Sequence, residues 1–209
     1  MGLRLREKFS LSDLCNGGEA MKAMQTIAIV IMLLTVLGCG GEKSFQPNTF
    51  TKDDMCITPI DAGKQNICYG MARPDVENLL GPGQLGDFAF TEYEHGVSVM
   101  YRNDVVAGLA LEQGSKGMYT TARGAEIGMS KEDIKVLYGD KHAVEQSERN
   151  LDYFYDSVNQ TFMNQLPSLA NQTREDMEST YILSVIMDFA AESADRIMLL
   201  DMRMAVYME

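Results

Sequence analysis

The chain has 209 residues, 45% hydrophobic and 23% charged, the balance of a polypeptide that buries one ordinary core or two small ones. Asp and Glu number 30 against 18 Lys and Arg, a net charge of −12, which argues against a basic phosphate- or nucleic-acid-binding face. No Trp and only two His leave little for metal or acid–base chemistry.

Residues 1–20 mix Arg4, Arg6 and Lys8 with acids and do not suit a leader. They read as an extension upstream of a start at Met21. Residues 21–38 read as a signal peptide: Lys22 is a positive flank, and the apolar run Ile27–Leu37 falls short of the ~20 residues that span a bilayer. The run ends in Val36-Leu37-Gly38-Cys39. A small residue before a Cys, directly after such a run, resembles the lipobox of bacterial lipoproteins. That resemblance implies a diacylglyceryl group on Cys39 and cleavage in front of it. Two acyl chains anchor a domain stably without a transmembrane helix. Gly40 after the Cys implies the outer membrane, facing the periplasm, or the outer face of the plasma membrane in a Gram-positive cell.

Residues 39–52 are small and polar and read as a flexible tether. Cys56 and Cys68 follow, and in an exported chain they read as a disulfide. A metal pair would need further His or Cys close by.

Residues 70–81 and 128–139 match: Gly70, Met71, Asp75, Leu79 and Gly81 recur as Gly128, Met129, Asp133, Leu137 and Gly139. Each stretch spells a short helix. Pro74 suits a first turn, Ser130 with Asp133 suits an N-terminal cap, and the final glycines suit helix stops. Val76, Leu79 and Leu80 share one face, as do Ile134, Leu137 and Tyr138. Strands are expected after the first helix at Phe88–Glu94, Val97–Arg102 and Val105–Glu112, with tight turns at His95-Gly96 and Asn103-Asp104. After the second helix they are expected at Leu151–Asp156, Tyr181–Ala190 and Arg196–Met204. Val97, Val99, Tyr101, Val185, Met187 and Phe189 alternate as core positions. An insertion at 157–180 interrupts the second set. The expected fold is α+β, with two tandem repeats (53–117 and 118–209), each a short helical part packed on an antiparallel β-meander.

A Gly-Met-x-x-x-Asp-(Val/Ile)-x-x-Leu-x-Gly helix followed by a meander resembles the SmpA/OmlA small outer-membrane lipoproteins, whose best-known member assists β-barrel assembly. The tandem arrangement resembles the β-lactamase-inhibitor-protein fold, in which two helix-plus-sheet repeats lie side by side. Both resemblances imply a protein that binds proteins.

The chemistry-bearing residues point the same way. His95 and His142 stand apart from other ligand types. Asp87, Glu92, Glu94, Asp152 and Asp156 alternate as a solvated strand face does. Glu175, Asp176 and Glu178 lack the ligand order of a Ca²⁺ loop. In the insertion, Phe162, Met163, Leu166 and Leu169 offer either a partner-binding surface or cover for a sheet edge. The expected function is therefore a non-catalytic envelope lipoprotein without cofactor or metal, anchored by its N-terminal lipid and bound to another envelope protein rather than to nucleic acid. A periplasmic module sensing a small ligand or cation is the alternative.

Overall fold

A computed structural model describes residues 45–61, 63–188, 190 and 192–206. Cys39 and the leader lie outside the described residues, as does Phe189. Among the described residues no helix is long and apolar enough to cross a membrane.

The fold is α+β and antiparallel. A small sheet forms from β1 (Cys56–Pro59), β2 (Ile67–Cys68) and β7 (Tyr119–Thr121), with β1 central. Cys56 faces Cys68 directly across β1 and β2, Cα atoms 4.0 Å apart and sulfurs at bonding distance. Closing so short a loop stabilises the fold by roughly 2–3 kcal/mol in the chain-entropy account.

The large sheet has eight strands. On one side β3 (Gln84–Leu85), β4 (Phe90–Tyr93), β5 (Val97–Arg102) and β6 (Val105–Leu111) run in order. On the other, β11 (Ser193–Asp201), β10 (Thr180–Asp188), β8 (Asn150–Asp156) and β9 (Thr161–Met163) run outward. The two sides join where β6 pairs with β11, with Ala110 opposite Met198. The β5–β6 hairpin turns on Asn103 and Asp104, both at positive φ, the backbone twist a two-residue hairpin requires.

Helices α1 (Arg73–Leu80) and α2 (Lys131–Tyr138) pack on one face of this sheet through Val76, Ile134 and Tyr138. Ser130 caps α2 by accepting from the Asp133 amide, and the Gly81 and Gly139 amides close the helix ends on Glu77 and Lys135. Leu79 is the departure from the expected apolar face, standing 40% exposed.

In front of each helix, a Gly-Met pair hooks onto a strand. Gly70 N–H donates to the Val106 carbonyl and Val106 N–H to the Met71 carbonyl, both at 2.9 Å. Gly128 N–H donates to the Ala194 carbonyl and Ala194 N–H to the Met129 carbonyl, both at 2.8 Å. The two glycines have φ of 88° and 94°, a region that a residue with a Cβ enters only at a cost. Each hooked strand also carries an irregularity at the same point, opposite Met100/Tyr101 in one case and Ile186/Met187 in the other.

The opposite face of the sheet is covered mainly by the insertion and the chain's end. Helices α3 (Arg174–Ser179) and α4 (Met202–Val206) lie there. Met163, Leu166 and Met177 pack on Phe154, Ile182 and Met202, while Met204 joins Phe90, Met100 and Met198.

Two strand boundaries and the tether also depart from the sequence expectations. The last strand stops at Asp201, not Met204, because Asp201 accepts from the Met204 amide (3.0 Å) and starts α4. The first meander strand starts at Phe90, since Phe88 and Ala89 turn into positive φ. Residues 45–52, expected as flexible tether, are docked on the fold. Phe50 is buried beside Tyr138 and Tyr155, and the Asn48 amide bonds the Tyr138 carbonyl.

Candidate functional site

A buried polar group that has no internal partner marks a site for chemistry. Among the described residues no buried side-chain nitrogen or oxygen is without a hydrogen-bond partner. Arg123 illustrates how the fold achieves this. Its guanidinium pairs with the fully buried Asp54, donates to the carbonyls of Gln46, Thr49 and Leu137, and lies over the rings of Phe45 and Tyr138. The Asp54 carboxylate also accepts from the Thr51 amide in a capping box. One planar fork thus fastens the 45–54 segment to the end of α2.

A second network closes one end of the large sheet. Asp201 is fully buried and accepts from the Tyr69 hydroxyl (2.6 Å) and Arg102 (2.7 Å). Arg102 also pairs with Glu178, and Glu178 with Arg203. Burial raises the Asp201 carboxyl, with the Tyr69 and Arg102 bonds opposing it, and burial also drives the Tyr69 hydroxyl far above its ordinary range. These charges tie α3 and α4 to β5. Asp152, expected on a solvated face, is instead 6% exposed and accepts from Ser184 (2.6 Å); burial raises its carboxyl.

An open cleft of about 770 Å³ lies at the start of α2 between Ser130, Lys131, Glu145, Glu148, Asp188 and Glu192. Glu145 there is bound to Lys135 and to Lys131 (3.2 Å), which hold its carboxyl below the ordinary range against the opposing effect of burial. Among the described residues no group of three or more His, Cys, Asp or Glu converges to hold a metal.

The insertion residues separate. Phe162 stacks on His142 at 4.3 Å and packs edge-on to Phe50 and Tyr155. Met163 and Leu166 cover the far face of the sheet. Leu169 alone of the four stands open, 44% exposed. Asp176 caps its own helix with Thr173, and Glu178 is consumed by the arginine network.

The opposite rim is barer. β3 is two residues long, with Leu85 87% exposed and Phe88 59% exposed. Gly86 N–H donates to the Phe90 carbonyl, and the register sets Leu85 opposite Thr91. Antiparallel alternation then turns the Leu85 amide and carbonyl outward, away from β4. Phe88 sits at φ 51° and Ala89 at φ 62°, a conformation that costs a non-glycine residue of order 1–3 kcal/mol. Sequence reading missed this rim. Gly81-Pro82-Gly83 signals a turn, and a two-residue strand leaves no periodicity to find.

No family model, no curated protein and no solved structure matches the chain.

Proposed function

We propose that this chain is a non-catalytic, lipid-anchored envelope protein that works by binding another protein at the rim of its sheet. We further propose that it consists of two tandem copies of one helix-and-meander unit. The matched Gly-Met hooks of α1 and α2 support the duplication, together with the matched strand irregularities. So does the seam. Val106 and Ala194 occupy equivalent hook positions, which makes Ala110 and Met198 equivalent too, and these two pair with each other, as a local twofold requires. On this reading the resemblance to the SmpA/OmlA lipoproteins and the β-lactamase-inhibitor-protein fold extends to architecture.

The observation that carries the binding reading is the division of side chains. Buried polar groups make their bonds within the fold, while Leu85 and Phe88 stand in solvent at an unpaired strand edge. Exposed large apolar side chains on such an edge are a protein-binding signature. The anchor rests on the order Lys22, Ile27–Leu37, Gly38, Cys39.

Mass spectrometry of the mature N-terminus from a membrane fraction tests the anchor. Diacylglyceryl-modified Cys39 as first residue is the expected result, and an unmodified Cys39 rejects it. Affinity capture of the full chain from cross-linked envelopes tests the binding reading, which fails if no protein co-purifies above a tag-only control.

A further inference from the structure

From the rim geometry we infer the chemistry of the partner: an extended protein segment that adds to the β3 edge and carries Lys or Arg beside its apolar residues. The inference rests on the protein-binding reading above and narrows it to one surface. Three features of the rim specify the occupant.

The first is main-chain bonding. The Leu85 amide and carbonyl face outward from the sheet, so an extended segment is the shape that satisfies both. The edge is short, because Pro82 lies two residues before β3 and the turn at Asp87–Ala89 follows it. Backbone pairing therefore sets the segment's register more than its affinity. The second is apolar area. Leu85 and Phe88 give the segment two side chains to cover, and the backbone at Phe88 and Ala89 adopts positive φ where that aromatic stands exposed. A strained, exposed aromatic has no stabilising role that would explain it.

The third is charge. Asp87 in the turn after β3, Glu92 on the neighbouring β4 and Glu94 just beyond it are exposed and enter no ion pair among the described residues, unlike Glu112, Glu145 and Glu178. The Glu92 side chain lies against Gly86, within the rim itself. Unpaired carboxylates around an apolar pair favour a cationic segment. They also disfavour a second copy of the chain. Pairing two β3 edges would bring two such acidic rims together in a molecule already at −12. At the far rim the edge strand is β9, and its apolar residues Phe162 and Met163 are packed on the fold and not exposed.

Site-specific photo-crosslinking in cells that express the full chain tests the inference. A photoreactive p-benzoylphenylalanine replaces Leu85 or Phe88 in turn, with Val136, Val158 and Leu169 as exposed apolar comparison positions. Adducts are expected from positions 85 and 88. Peptide mapping should place the attachment in a segment whose apolar residues neighbour Lys or Arg. With the crosslinker at 85, the variant Asp87→Asn/Glu92→Gln should lower the adduct yield about tenfold. An adduct with a second copy of the chain, a segment lacking basic residues, or an unchanged yield in that variant overturns the inference. Adducts only from the comparison positions overturn it, and with it the rim as the binding surface, while leaving intact that the chain binds a protein. No adduct from any position removes both.

Discussion

At the scale of single residues, the charges of this protein are of two kinds. Arg123 is the structural kind: it is 7% exposed and holds Asp54, which is fully buried. Arg123→Met leaves that carboxylate without its counterion and should cost about 3–5 kcal/mol in urea unfolding. A loss below about 1 kcal/mol would mean the capping contacts of Asp54 suffice. Glu145 is the surface kind, 38% exposed and bound to Lys131 and Lys135, so solvent screening limits it to about 0.5 kcal/mol. Its folded pKa lies below the ordinary 4.5. Its contribution is therefore present above that value and is lost as pH falls through the depressed one. The difference between wild type and Glu145→Gln should be present at pH 7, shrink in high salt, and vanish in acid. Phe88 belongs to neither kind. Phe88→Gly relieves a left-handed backbone at little loss of burial, and the gain offsets the added freedom of the unfolded chain. Unfolding free energy should rise by about 0.5–1 kcal/mol, and a fall of that size would make Phe88 a packing residue.

At the scale of elements, sequence patterns succeed where the determinant is local. The helices are legible because Ser130, Pro74, Gly81 and Gly139 act on their own turns, and the β5–β6 hairpin because Asn-Asp accepts positive φ. The Cys56–Cys68 pair is legible because two cysteines twelve residues apart have no further His or Cys close by to make a metal site. What is illegible depends on distant partners. Nothing near Arg123 in the sequence announces Asp54, and nothing in residues 45–52 announces that Phe50 finds Tyr138 and Tyr155. The run Arg196–Met204 is apolar enough to pass for one strand, and only the capping bond from Asp201 divides it. Asp152 obeys strand alternation, yet it is buried, with Ser184 donating to its carboxylate from the adjacent strand. The insertion shows the same limit, because its apolar residues are as consistent with a binding surface as with cover. Its packing makes a direct prediction. Replacing residues 157–179 with a short turn uncovers Phe154, Ile182 and Met202, so the variant should melt lower and bind a hydrophobic dye in the folded state. An unchanged melting temperature without dye binding would return the insertion to a purely external role.

At the scale of the whole molecule, the seam between β6 and β11 decides whether the two meanders are separate domains or one. Its register sets Leu109 against Leu199 and Leu111 against Ile197, and all four belong to one core that also contains Val97 and Val99 from one side and Leu151 and Leu183 from the other. The main core is shared by both meanders, so the pair should unfold in a single cooperative step. Ala110 is the position to probe. It is fully buried, opposes Met198, and its methyl lies on the face covered by Met204 rather than by α1 and α2. Ala110→Asp puts a carboxylate into that layer and should cost at least about 3 kcal/mol. If the seam unites the molecule, hydrogen exchange in this variant accelerates by the same factor for amides in β5 and in β10, although the two strands lie on opposite sides of the substitution. Faster exchange confined to β5, with β10 still protected, would show that the second meander stands alone and that the seam joins two independent folding units.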